Sequence, residues 1–177
     1  MKKKKSDVII PVLPIGAKVI GFDLGTHFGW SIGNDGGAVD LSMFDTEYVP
    51  KGKGKNTLNY ERVAFAFDRW ASELFDTHKP DVVCSELPPA GLHGNARLIL
   101  LGMHWTLRVH AGRYDIPMYS VPVTTLKVWA TTDYRADKPM MIKAAGRYYN
   151  GTIEDDNHAD AILVRQWGYE RYVLGKV

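Results

Sequence analysis

Segment 80–86, PDVVCSE, is apolar without a break from Val82 to Cys84. A strand apolar on both faces has to lie inside a sheet that is covered on both sides. That demand calls for helices on either face, and the rest of the chain has the patterns to supply them. Upstream, 19–24 (VIGFDL) alternates, with Ile20, Phe22 and Leu24 on one face and Asp23 on the other. GWSI (29–32), the turn cluster Asn34-Asp35-Gly36-Gly37 and AVDLSMF (38–44) continue it as an antiparallel meander. Residues 57–77 carry Val63, Phe67, Trp70 and Leu74 at helical spacing. Downstream, the spacing predicts a helix over 95–113 with Leu98, Leu101, Trp105 and Val109 facing inward, then a strand over 118–122. Helices over 124–130 and 139–149 and a last one from near Asp156 complete the order. The expected fold is α/β: a mixed sheet of three antiparallel and then parallel strands, flanked by helices.

The 177 residues suit one domain, expected over 18–177 behind a basic, proline-broken tail over 1–17. Residues 2–5 are all lysine, and they account for the net charge of +2; without them the balance turns slightly negative. Any nucleic-acid surface must therefore be a local feature. A single cysteine, Cys84, excludes an intrachain disulfide and a Cys-rich zinc site, and its apolar surroundings suit a buried, inert thiol. No run reaches the ~18 apolar residues of a membrane span, and the basic start with its two prolines does not read as a signal peptide. A cytoplasmic protein is expected.

Four acids stand out by position. Asp23 lies mid-strand, where a carboxylate is disfavoured unless something holds it. Glu86 ends the apolar strand, and Asp156 and Asp160 lie one helical turn apart. Read singly, Asp155 or Asp156 suits a helix N-cap and Glu86 suits a solvated strand end. Together they can converge at one sheet edge, where like-charge repulsion demands a cation. Oxygen donors without thiols select Mg²⁺, with Mn²⁺ as an alternative, and a pair of such ions suits phosphodiester hydrolysis.

FDLGTHFGWSI (22–32), VVCSELP (82–88) and DDNHADAIL (155–163) occur in an order and spacing that resembles the RuvC-like Holliday junction resolvases, especially phage-encoded relatives. The resemblance spans about 19–167 and implies an RNase H-like fold, a homodimer, Mg²⁺-dependent hydrolysis and paired nicks across four-way DNA junctions. It implies metal binding by Asp23, Glu86 and Asp160. The family's other carboxy-terminal acid or histidine falls where this chain has Asn157, so Asp156, one residue earlier, is assigned as the fourth ligand, with His158 as a substitute. Lys127 and Lys138, 11 residues on, resemble the family's basic pair near the scissile phosphate, which implies a catalytic role for Lys127 and DNA contact by Lys138.

Weaker candidates for DNA contact are Lys51, Lys53 and Lys55 on a glycine-rich loop, and His93, Asn95 and Arg97 after the Glu86 strand. Leu98, Leu101 and Trp105 suit either core or a dimer interface. His104 and His110 read as structural histidines, and Phe28 and Trp30 as core. Rival readings are a flap or RNA–DNA hybrid nuclease, an actin-like or sugar-kinase ATP-binding domain suggested by DLGT, and a non-catalytic DNA-binding protein. The chain is short for a two-domain kinase and has no second phosphate loop.

Overall fold

The computed structural model describes residues 13–44, 60–91 and 93–176. Its strands are β1 (Val19–Asp23), β2 (His27–Ile32), β3 (Asp35–Asp40), β4 (Val82–Glu86) and β5 (Met118–Val121). Its helices are α1 (Tyr60–His78), α2 (Gly94–Arg113), α3 (Val123–Thr131), α4 (Lys138–Ala145) and α5 (Asp156–Tyr172), with a short 3-10 turn over Leu41–Phe44. The sheet order is β3-β2-β1-β4-β5. β1, β2 and β3 pair antiparallel, whereas β1–β4 and β4–β5 are parallel. This is the expected mixed sheet. In its register Phe22 faces Ser85, which sets Asp23 beside Glu86 at the carboxyl edge.

The doubly apolar strand is covered as its composition requires. Val83 joins Ile20, Phe22 and Phe28 under α1 and α2, against Phe67, Phe75 and Leu107. Val82 and Cys84 face the other layer, with Ile162 and Leu163 of α5 and the small residues Ala144 and Ala145 of α4. Phe28 is fully buried and Trp30 packs edge-on to Trp70, so both belong to the core. Residues 13–17 join the domain: the Leu13 amide donates to the Tyr172 carbonyl at 2.7 Å, and Ala17 is buried.

Three local expectations need correction. The hairpin turn is Gly33-Asn34, with Gly33 at φ +57°, and β3 starts at Asp35 and ends before the 3-10 turn. A two-residue loop matches the twist of its flanking strands when its residues accept positive φ, which Gly33 does without strain. α4 ends at Ala145, with Gly146 as its cap, earlier than the spacing over 139–149 suggests. In α2 the inward stripe is Met103, Leu107 and Ala111, whereas Leu98, Trp105 and Val109 are exposed. This helix is apolar around most of its circumference, so periodicity cannot choose a face. Polar partners choose it: His104 Nδ1 meets Ser85 Oγ at 3.3 Å, and His110 Nε2 meets Asp68 Oδ1 at 2.9 Å.

α5 lies directly on β1 and β2 because glycines there remove the side chains that would hold it off. A Cβ on Gly21 would collide with the Ala161 carbonyl oxygen, and one on Gly29 with the Asn157 carbonyl oxygen. Gly29→Ala is therefore expected to lower stability by more than about 2 kcal/mol, since main chain cannot yield as a core side chain does. Chemical denaturation checks this, and an unchanged midpoint would show that the helix does not depend on that close approach.

Candidate active site

Each of the four acids reaches the same sheet edge by a different route. Asp23 is the last residue of β1, on the face opposite Phe22, and Glu86 is the last residue of the neighbouring parallel strand. Asp156 and Asp160 come from the first turns of α5, which the glycine contacts press against β1 and β2. All four are partly buried.

Their mutual influence shows in their proton affinities. Burial, and then the charges of Glu86, Asp160, Asp156 and Asp155, hold Asp23 well above the usual carboxylate range. Burial and then Asp160 raise Glu86 to about 7, against an opposing pull from Lys127. Burial and then Asp156 raise Asp160 to about 6, opposed by Lys127 and Lys138. Asp156 is shifted downward instead, because Lys138 Nζ donates to its Oδ2 at 2.5 Å.

The bland readings separate cleanly at the start of α5. Asp155, not Asp156, is the N-cap: its Oδ1 accepts from the His158 amide at 2.8 Å. Asn157 Nδ2 donates to Asp155 Oδ2 at 3.1 Å, which spends its side chain on the helix start. His158 is fully buried, accepts from the Glu154 amide at its Nδ1 (3.3 Å) and sits edge-on to Tyr149. Asp156 takes no part in the cap and meets Lys138 beside the other carboxylates, whereas Asn157 and His158 are occupied in building the helix start.

Lys127 is half-buried on α3, with Nζ donating to the Ala136 carbonyl at 2.8 Å, and its charge reaches both Glu86 and Asp160. Lys138 opens α4 and is exposed apart from its ion pair. His93 and Arg97 are exposed at the start of α2, and Asn95 lies in the first turn of that helix. Lys51, Lys53 and Lys55 lie outside the described residues. The Lys138–Asp156 pair had no sequence signal, because the two residues are far apart in the chain. The capping role of Asp155 did have one, in its place immediately before the helical run.

Among the described residues, no three His, Cys, Asp or Glu side chains stand as a ready-made cation cage. The donor set nonetheless fits a hard divalent ion. Asp160 Oδ1 is buried with no hydrogen-bond partner among the described residues, and the charges that act on the carboxyl are those of Asp156, Asp155, Lys127 and Lys138. A buried acceptor left unpaired is unfavourable, and a cation ligated by oxygen would satisfy it.

The raised carboxyls give the protein a definite pH dependence in chelator. The folded chain binds more protons than the unfolded chain from the ordinary carboxylate values, 3.8 and 4.5, up to about 6 for Asp160 and about 7 for Glu86. Stability is therefore expected to fall as pH rises through that window. Glu86→Gln removes one of the repelling charges and should flatten the fall. Thermal denaturation in chelator at several pH values checks this, and a stability that rises across the window would contradict it.

No family model matches the sequence, and neither does any curated protein. Solved structures do match. Thermus thermophilus RuvC aligns with TM-score 0.66 at 15% identity, covering 90% of this chain and 98% of that one. The same protein in complex with Holliday junction substrate gives TM-score 0.67 at 16% identity, with 90% and 96% covered. The yeast mitochondrial Holliday junction resolvase Ydc2 gives 0.59 at 17% identity, with 92% and 80% covered. Likeness at such identities is a likeness of architecture, and the chain has the RNase H-like fold of these proteins.

Proposed function

We propose that this chain is a metal-dependent, structure-selective endonuclease that resolves four-way DNA junctions by paired nicks. One observation carries the reading: Asp23, Glu86, Asp156 and Asp160 share an electrostatic cluster at the carboxyl edge of an RNase H-like sheet. A structure of similar fold holds a Holliday junction substrate, and another is named a Holliday junction resolvase, which favours branched DNA over other phosphodiesters.

In this reading Asp23, Glu86, Asp156 and Asp160 hold the cation. Bound Mg²⁺ or Mn²⁺ supplies an activated water and a counter-charge for the leaving oxygen. Lys127, steadied by the Ala136 carbonyl, places a fixed positive charge beside Glu86 and Asp160, where it offsets charge developing on a phosphate. Lys138 positions Asp156 through their ion pair. His93, Asn95 and Arg97, on the segment that follows the Glu86 strand, contact the DNA, as do Lys51, Lys53 and Lys55. In this reading the enzyme meets its DNA in the cytoplasm. No described helix is long and apolar enough to cross a membrane.

A homodimer suits a reaction that needs two nicks. The exposed row Leu98, Trp105 and Val109 on α2 is an apolar face beside the segment that follows Glu86, and it suits a self-complementary contact between two copies. Trp105→Glu should yield a folded monomer by sedimentation and circular dichroism. A dimer that persists would place the contact elsewhere.

Asp23→Asn and Glu86→Gln should each lower Mg²⁺-dependent cutting of a labelled four-way junction by more than about 100-fold, beyond what loss of an outer-shell partner does. Junction binding in chelator should be retained, because the basic contacts remain. Asp156→Asn should impair cutting and Asn157→Ala should not. Symmetric nicks confined to the junction, absent on linear duplex and RNA–DNA hybrid, complete the test; cutting of the hybrid instead would change the substrate.

A further inference from the structure

We propose that the cavity at the amino end of β1 is an anion site for a phosphate monoester of nucleotide size, separate from the carboxylate cluster. The cavity has a volume of about 550 Å³, within the range of small-molecule sites. Lys18, His78 and Arg165 line it together with Asn34, Gln166 and Tyr169, and among the described residues no aspartate or glutamate does.

Arg165 is the observation that asks for a ligand. It is 7% exposed, and burial disfavours its charge. Among the described residues no carboxylate pairs with it, and its hydrogen bond runs from Nη2 to the Tyr148 carbonyl at 2.8 Å. A guanidinium has five donor hydrogens. Arg165 lines the cavity while its Nη2 is held by Tyr148, which is not part of the lining. A buried, unpaired cation is costly unless an anion completes it. Two acids beside the lining residues are otherwise engaged: Asp81 accepts from the Lys18 amide at 2.7 Å, and Asp35 lies 3.6 Å from His78 Nε2. Lys18 Nζ donates to the His78 carbonyl at 3.2 Å, which leaves donor hydrogens of its ammonium for an anion.

The lining also selects the class of anion. A phosphate monoester carries close to two negative charges at neutral pH, which Lys18 and Arg165 together can offset. Val19, Ile32 and the Tyr169 ring add an apolar wall for the body of the ligand, and Asn34 and Gln166 add polar groups that can orient it. The site does not overlap the carboxylates. β1 separates Val19 from Asp23 by about 13 Å of strand, and α5 separates Arg165 from Asp160 by about 7.5 Å of helix and from Asp156 by about 13 Å.

The test uses the full chain in chelator, with dAMP, deoxyadenosine and inorganic phosphate as probes in calorimetry and thermal denaturation. Binding of dAMP at one site per chain, with deoxyadenosine at least about tenfold weaker, is expected. Lys18→Gln and the rim substitution Thr77→Trp should each weaken it, and Arg165→Gln should abolish it. Thr77 is exposed and can be changed without touching the core, which keeps the test informative if Arg165→Gln fails to fold. Glu86→Gln should leave dAMP binding intact. The proposal is overturned if dAMP does not bind at millimolar concentration, if Thr77→Trp binds it unchanged, or if Glu86→Gln removes it. Junction cutting measured in parallel keeps this outcome distinct from that of the nuclease reading.

Discussion

The close approach of α5 to β1 and β2 is the contact on which the rest of the molecule depends. Gly21 and Gly29 leave room for helix backbone against sheet backbone, and Gly168 leaves room beside Cys84. That approach puts Asp156 and Asp160 within electrostatic reach of Asp23 at the end of β1. The loop before the helix is tied down as well: the Ala38 amide donates to Glu154 Oε2 at 2.7 Å, and Asp155 caps the first turn. A helix held at both its start and its face delivers its acids with little freedom, which is what a site that binds metal or substrate requires.

That same rigidity concentrates negative charge. Asp23, Glu86 and Asp160 all hold their protons more tightly than ordinary carboxyls because burial and their neighbours penalise the ionised form. Two lysines moderate the cluster in different ways. Lys127 acts through its field on Glu86 and Asp160, and Lys138 through a direct ion pair that keeps Asp156 ionised. The fold thus keeps an unfavourable cluster and leaves Asp160 Oδ1 without a partner among the described residues. Such a local violation of the rules of burial is expected at functional sites, where stability elsewhere compensates.

The mixed sheet, antiparallel and then parallel, and the covering of both faces were legible in the doubly apolar strand, the early meander and the helical spacings that follow; the strand order was not. The acids were legible too, because a carboxylate inside the VIGFDL strand and another ending an apolar strand break the patterns around them. α2 was not legible in orientation: Leu98 and Trp105 match helical spacing as well as Met103 and Leu107 do, and only the pairing of His104 and His110 with Ser85 and Asp68 selects the buried face. Arg165 was equally silent. An arginine that follows an apolar run gives no sign of whether a carboxylate awaits it.

The sequence by itself determined the layers of this protein and the identity of its acids, because burial pattern and residue chemistry are local properties that repeat along each element. Only the tertiary structure decided which of the acids beside the α5 start caps the helix and which joins the cluster, since hydrogen bonds to Asp155 and the ion pair from Lys138 are made across the fold. It also decided that Arg165 lines a cavity and bonds the Tyr148 carbonyl, with no carboxylate paired to it among the described residues. Partners distant in the chain meet only through packing, and side-chain periodicity carries no record of them.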